Sequence, residues 1–217
     1  MPEIAWDHNA WYHRLLIRQV PSGAQRVLDV GCGAGALTRE LARWVVRVDA
    51  LDRDPGMVAL ARAGAPGNLT VLEADALTVD LPAGGYDAVL SLSSLHHLPT
   101  APALVRMAGW LRPGGVLAAV ALPRVDLPVD APVEAAALVG HRVLGTAFLA
   151  GRRLTGRPLF AHTPDVRAMP MRDPQLTTRQ VREAAATVLP GVRVRRLVFW
   201  RYLLSWTKPL GEEPFPG

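Results

Sequence analysis

Through the first 122 residues, short apolar runs of β-formers alternate with stretches whose apolar residues recur at helical spacing. Val27, Leu28 and Val30 mark a first buried strand at 26–30, and similar runs at 45–52, 69–72, 86–91 and 116–122 give four more. Trp11, Leu15, Leu16 and Ile17 share a broad face of a helix over 9–20. Leu37, Leu41 and Trp44 mark a helix running to about 43, and Met57, Leu60 and Ala61 another over 55–61. Residues 102–111 give a further helix, and 112–115 a turn. Asp54 followed by Pro55 is a strong helix start, because aspartate caps and proline is tolerated at the first helical position. Strands alternating with helices predict a parallel sheet covered on both faces.

Beyond residue 122 the alternation stops. Residues 131–154 are rich in Ala, Val, Leu and Gly and read as one or two helices, followed by an arginine-rich, proline-punctuated segment to 176. A connection of this length is expected to contain structure or to form a lid. Thr177 and Gln180 have the spacing of a capping box, and Val181, Ala184, Ala185, Val188 and Leu189 continue a helical stripe. Residues 192–198 alternate arginine with apolar residues, and 201–207 is the expected antiparallel partner. Trp200, Tyr202 and Trp206 read as packing residues, and 211–217 as a frayed end.

Composition narrows the class. The 217 residues suit one domain with an insertion, and half of them are hydrophobic. Cys32 is the only cysteine, so no intrachain disulfide or cysteine metal cluster can form, and its place among glycines favours packing over nucleophilic chemistry. His8, His13, His141 and His162 lack metal-ligand spacing, and His13 reads as a surface residue. No uninterrupted apolar run approaches the roughly 18 residues of a membrane span, and the start lacks a signal peptide's pattern, so a cytoplasmic protein without a membrane role is expected. The net charge of +5 arises wholly beyond residue 121, where fourteen basic residues face eight acidic ones. A solvated arginine-rich surface accounts for that excess, and a nucleic-acid flank is the rival reading.

Chemistry concentrates at the strand ends. Gly31, Gly33 and Gly35 alternate directly after the first strand, with Asp29 two positions ahead, a place where backbone approaches a ligand closely. The spacing is not the dinucleotide G-x-G-x-x-G. Asp52 lies 23 residues beyond Asp29, near the spacing of an acid that receives ribose hydroxyls, and a carboxylate accepts two hydrogen bonds from a vicinal diol. Asp49 competes for that role. His96 and His97 follow the fourth strand, where an open sheet's ligand crevice lies, and imidazole is a plausible base near neutral pH. If the pair starts a helix, the two side chains point about 100° apart and only one faces a substrate well.

The segment from Val27 to Thr38 resembles motif I of the class I S-adenosylmethionine-dependent methyltransferases. Asp52-Arg53-Asp54-Pro55-Gly56-Met57 is similar to that family's D-x-[S/D]-P-x-M pattern, and Leu111-Arg112-Pro113-Gly114-Gly115 to its L-[K/R]-P-G-G turn. The resemblance implies an α/β, Rossmann-like, doubly wound seven-stranded sheet with the last strand antiparallel and a helical cap inserted after strand five. It implies S-adenosyl-L-methionine as cofactor. Gly31, Gly33 and Gly35 would shape the methionine side, and Asp29 would orient the loop or meet the donor's amino group. Asp52, with Arg53 beside it, would bind ribose, Asp75 with Ala76 would read adenine, and Ser91 would complete the donor site. The pattern Ser91…Leu95-His96-His97-Leu98 is similar to that of phosphobase methyltransferases, which pair a histidine here with a tyrosine from the N-terminal helix. That register implies His97 as base, His96 as its alternate and Tyr12 as partner. No metal is implied. Because the N-terminal helix covers the donor in many relatives, lining the entrance is the alternative to a surface place for His13.

One domain over 1–217 follows, with an N-terminal helix covering the donor site (1–21), a donor-binding core (22–122), a helical cap (123–176) and a closing helix and hairpin (177–208). The loop Ser91-Leu92-Ser93-Ser94 departs from the N/D-P-P-Y/F motif of amino methyltransferases acting on nucleic acid and glutamine. Exocyclic amines are therefore disfavoured, and oxygen or carbon of a small metabolite is the expected acceptor, with sulfur or a more basic nitrogen left open; nucleic acid is not expected, and a monomer or homodimer is expected. A donor-binding protein without methyl transfer and an RNA methyltransferase are the alternatives.

Overall fold

The computed structural model describes residues 4–127, 129–161 and 173–210. The strands are β1 Arg26–Val30, β2 Arg47–Asp52, β3 Leu69–Glu73, β4 Tyr86–Leu92, β5 Leu111–Ala121, β6 Arg193–Leu197 and β7 Arg201–Thr207. The helices are α1 His8–Ile17, α2 Ala36–Leu41, α3 Pro55–Arg62, α4 Thr100–Trp110, α5 Ala131–Thr155 and α6 Thr178–Ala186. The seven strands form one sheet in the order β3-β2-β1-β4-β5-β7-β6. β1 to β5 pair in parallel, and β7 runs antiparallel to both β5 and β6, so six strands share one direction and the last is reversed. Strand order changes direction between β1 and β4, which opens a crevice at the carboxyl ends of the parallel strands.

Alternation along the strands feeds a core on each face of the sheet. Val27, Val48, Leu90 and Val120 pack with Leu16 of α1, Leu37 and Leu41 of α2, and Val58 of α3. Leu28, Val30, Val89 and Leu117 pack with Leu104 and Met107 of α4 and with Val181 and Ala185 of α6. This two-residue period is what a strand buried on both faces requires. Both anticipated helix starts are present. The Asp54 side chain accepts from the Met57 N–H at 2.9 Å, and Thr177 and Gln180 bond each other's backbone N–H reciprocally.

Several boundaries differ from the sequence reading. α2 ends at Leu41, so Trp44 lies beyond the helix and is 75% exposed instead of continuing its apolar stripe. β2 begins at Arg47, which leaves Val46 exposed. β5 begins at Leu111 and carries the Pro113-Gly114-Gly115 turn within it, with a register shift between Tyr86 and Ala88 on β4. A Cβ on Gly115 would sit 2.9 Å from the Arg112 carbonyl and 3.1 Å from that of Tyr86, so glycine is required there.

The insertion leaves and rejoins the sheet at one point, where Arg124 bridges Thr177 and the Arg124 N–H donates to the Leu176 carbonyl at 2.7 Å. Its described part is one helix, α5, of 25 residues. Ala137 and Gly145 are buried, and a Cβ on Gly145 would lie 2.2 Å from the Ile4 carbonyl oxygen. Trp6 donates to the His141 carbonyl at 3.3 Å and contacts the rings of Phe148, Phe160 and Phe199, joining the N-terminal segment, α5 and the β6–β7 corner. Leu138, Val139, Val143 and Leu154 are exposed. By length and composition alone α5 could cross a membrane, which corrects the expectation drawn from uninterrupted apolar runs, since Glu134 and Arg142 punctuate this one.

Candidate functional site

A cavity of about 530 Å³ lies in the crevice. Its walls come from the turns after β1, β2, β3 and β4, from the start of α1, from Leu122 after β5, from Asp173 and Pro174, and from Arg201 at the head of β7.

The glycine turn sets one end. Gly31, Gly33 and Gly35 have φ of 74°, 52° and 81°, a left-handed region open to glycine and costly to other residues. A Cβ on Gly31 would sit 1.9 Å from Ser94 Oγ, so the turn after β1 and the loop after β4 meet with no room between them. Asp29 is 1% exposed, and its Oδ2 accepts from the Thr38 hydroxyl at 2.7 Å. Oδ1 is buried without a hydrogen-bond partner. Burial, partly offset by the Thr38 bond, pushes the Asp29 pKa up to about 7.

Asp52 is held by backbone on both sides. Its Oδ2 accepts from the Gly33 N–H at 2.8 Å and its Oδ1 from the Asp54 N–H at 2.9 Å. Asp49, the competitor, faces elsewhere: it is buried among Arg26, Arg47 and the Tyr86 hydroxyl and does not line the cavity. After β3, Asp75 accepts from the Leu77 N–H at 2.8 Å in a tight turn, and Ala76 beside it is buried with its carbonyl bonded to Arg106. Arg53, Asp75 and Ala76 all line the cavity.

His96 and His97 lie on a short 3-10 turn, Leu95–His97, with ring centroids 4.1 Å apart. Both line the cavity, in contrast to the expectation that only one would. His96 Nδ1 is buried without a partner, and burial, aided by the charges of His97 and Arg201, lowers its pKa to about 3.

Three predicted residues lie outside the cavity wall. Tyr12 is buried with its hydroxyl donating to the Val198 carbonyl, and burial raises its pKa to about 12, so it is tied to the β6–β7 corner and not to His97. Gly35 instead lets α2 and α3 approach, since its Cβ would lie 3.1 Å from the Ala61 Cβ. Ser91 is buried within β4 with no partner for its hydroxyl, and the wall there is made by Leu92, Ser93 and Ser94.

Other residues emerge that the sequence reading assigned elsewhere or passed over. His13 is buried, lines the cavity and meets Glu40 at 2.9 Å, in keeping with the alternative that placed it at the entrance and against its surface placement. Asn9 Oδ1 accepts from the Ser93 hydroxyl at 2.7 Å and from Arg201 at 2.9 Å, tying α1, the β4 loop and β7 together. Neither had a sequence signal: Asn9 reads as an ordinary first-turn residue, and Arg201 is one of several arginines near the hairpin. His8 and His141 bond each other at 3.1 Å, and His162 and 211–217 lie outside the described residues. Among the described residues no cluster of His, Cys, Asp and Glu suits a metal. Cys32 is buried with its thiol pKa pushed up by burial, in keeping with packing.

A family model described as "Methyltransferase domain" matches residues 27–115. An uncharacterized methyltransferase of Mycobacterium tuberculosis is 36% identical over 209 residues, which cover 94% of this chain and 98% of that protein. A ubiquinone biosynthesis O-methyltransferase of Xanthomonas axonopodis is 40% identical over 106 residues, 46% of this chain and 44% of that protein. Among solved structures, an S-adenosylmethionine-dependent methyltransferase of Mesorhizobium loti shares the fold with a TM-score of 0.61 at 20% identity, over 92% of this chain and 98% of that one. The donor set fits the cofactor these relatives point to: an orphaned buried carboxylate oxygen beside the glycine turn, a carboxylate closing β2, and an acid followed by an amide after β3.

Proposed function

This chain belongs to the class I S-adenosylmethionine-dependent methyltransferases, and we propose that it methylates a small-molecule acceptor at oxygen, with His97 taking the proton. The observation that carries the reading is the continuity of the cavity from the glycine turn to the two histidines and Arg201. Loops after β1, β2 and β3 supply the donor half; loops after β4 and β5, the start of α1 and the head of β7 supply the acceptor half.

S-adenosylmethionine, when bound, supplies a methyl group on a cationic sulfur, already activated for displacement. In this reading Asp29 Oδ1, ionised, receives the donor's amino group, while Gly31 and Gly33 let backbone approach the methionine portion. Asp52, oriented by two backbone N–H groups, receives the ribose hydroxyls, and Asp75 with the Ala76 N–H meets the adenine edge. The α1 residues Asn9 and His13 and the adjacent His96 and His97 cover the reacting region, excluding water and aligning the two substrates, which is most of what a methyl transfer asks of a protein.

With the donor bound, an acceptor oxygen would form its bond to the methyl carbon as the carbon–sulfur electrons return to sulfur. The hydroxyl proton passes to a base. His96, held neutral with a pKa near 3, is a weak proton acceptor at neutral pH and serves as a fixed polar wall; His97 beside it takes the proton. The partial likeness to an O-methyltransferase supports oxygen as the acceptor atom.

Donor carrying a carbon-13 methyl group, incubated with the protein and an extract of cells of its native organism, tests the reading. A new methyl resonance at an oxygen-bound shift in the small-molecule fraction is expected. Label in RNA or protein would overturn the acceptor assignment. Absence of label despite measured donor binding would favour a donor-binding protein that does not methylate.

A further inference from the structure

We propose that the acceptor carries an oxyanion, a carboxylate or phosphate, seated against Arg201. The inference rests on the methyl-transfer reading and narrows its substrate class. Arg201 is 9% exposed and lines the acceptor half of the cavity. Among the described residues its hydrogen-bond partners are all neutral acceptors: Asn9 Oδ1 at 2.9 Å, the Trp200 carbonyl at 3.2 Å and the Phe199 carbonyl at 3.5 Å. Nε is buried with no partner, and among the described residues no carboxylate lies within ion-pair distance. Asp7, whose charge Arg201 feels, lies beyond ion-pair distance, and its Oδ1 caps α1 by accepting from Asn9 N–H and Ala10 N–H. Arg196, the nearby cation, is already matched by Asp130 and Glu134. A guanidinium buried without a counter-ion is costly, and an anionic ligand removes that cost.

The local backbone is built around this residue. Phe199 and Trp200, the last two of the three residues between β6 and β7, have φ of 55° and 59°, a left-handed conformation that costs a non-glycine residue about 1–2 kcal/mol. The turn is clamped from outside, by Trp200 Nε1 donating to Glu134 at 2.7 Å and by Phe199 packed on Trp6. Its two carbonyls in turn accept from Arg201, so the guanidinium is held in place before any ligand arrives. An anion there would also be drawn toward the positively charged donor across the cavity. Arginine's fixed fork of donors suits carboxylate and phosphate alike.

The test uses donor with a labelled methyl group and an extract of native cells, with the labelled products separated by anion exchange. Label retained on the anion exchanger is expected. Label only in neutral or cationic products overturns the inference while leaving methyl transfer intact. No label in any product overturns methyl transfer, and this inference falls with it. The labelled acceptor, once isolated, is then compared with its methyl ester (or phosphate triester). Wild type should prefer the anion by about tenfold or more in kcat/KM, the scale of a charged hydrogen bond. Arg201→Met should erase that preference by raising KM for the anion, with donor affinity retained, and Arg201→Lys should restore part of it. If Arg201→Met slows the anion and the ester equally, the residue only braces the hairpin and the inference fails.

Discussion

The backbone N–H of Gly33 donates to the side chain of Asp52 at 2.8 Å, so the glycine turn after β1 and the carboxylate that closes β2 form one hydrogen-bonded unit. The residue proposed to receive ribose is thereby also one that holds the glycine turn in place.

Replacing Asp52 with Ala should lower donor affinity by about 10- to 100-fold, the loss of charged hydrogen bonds, with the fold retained. Asp49→Ala should do the reverse. It strips Arg26, Arg47 and the Tyr86 hydroxyl of their shared acceptor, at about 2–3 kcal/mol once the solvent exposure of the two arginines is allowed for, and should leave donor affinity of the folded protein unchanged. Calorimetric titration with donor alongside denaturant unfolding separates the two, and a donor-binding defect in the Asp49 variant would reverse the assignment.

Gly31→Ala places a methyl group against Ser94 and adds about 1–2 kcal/mol of left-handed backbone strain. The expected result is a lower Tm and donor binding weakened by more than tenfold. Ser94→Gly in the same chain should recover part of both; no recovery would show that the strain, and not the contact, dominates.

Asp29 and His96 titrate in overlapping windows with opposite signs. Asp29 is raised from 3.8 to about 7, so its contribution to stability is present below pH 4 and is lost as pH rises to 7. His96 is lowered from 6.5 to about 3, so its contribution is present above pH 6.5 and is lost as pH falls toward 3. Together the two nearly cancel between pH 4 and 6.5. Asp29→Asn should expose the histidine, with stability falling by up to about 1.4 kcal/mol per unit on acidification, and His96→Asn should expose the aspartate, with stability rising by a similar amount. Urea midpoints across this range give the slopes, and slopes of the same sign in both variants would refute the pairing. Donor affinity in the wild type should also rise with pH up to about 7, since the donor's amino group needs Asp29 ionised.

His97→Gln should reduce kcat by about 10²- to 10⁴-fold with donor affinity preserved, the usual contribution of a general base. Tyr12→Phe should leave kcat near wild type, because its hydroxyl serves the Val198 carbonyl. A large kcat loss in the tyrosine variant would restore the pairing with His97.

Much of the backbone around the proposed donor half was legible because local sequence carries it. Alternating glycines, Asp54-Pro55 and the Leu111–Gly115 turn are local signals, each imposing a backbone conformation on a few consecutive residues. The capping box at Thr177 and Gln180 was legible for the same reason. The acceptor half was not. Asn9 and Arg201 meet across 192 positions, through a hairpin whose turn residues are aromatic where glycine or asparagine would announce the conformation. Tyr12 and Ser91 were misplaced because facing depends on how α1 docks and which side of β4 a residue takes, and neither is written in the local pattern. Trp44 followed the helical period that α2 had already abandoned.

Reversal of β7 has a consequence for how the pocket is encoded. A parallel strand brings its last residue to the crevice, whereas the one reversed strand brings its first, and so Arg201 arrives beside loops that belong to the opposite ends of β1 to β5. On the proposed reading, donor recognition is written almost wholly in residues 29–76, and part of acceptor recognition at the β6–β7 corner more than 120 positions later. The two specificities would then be separable units of inheritance: substitutions at 199–201 would exchange one acceptor for another while the cofactor's half of the cavity keeps every residue it has.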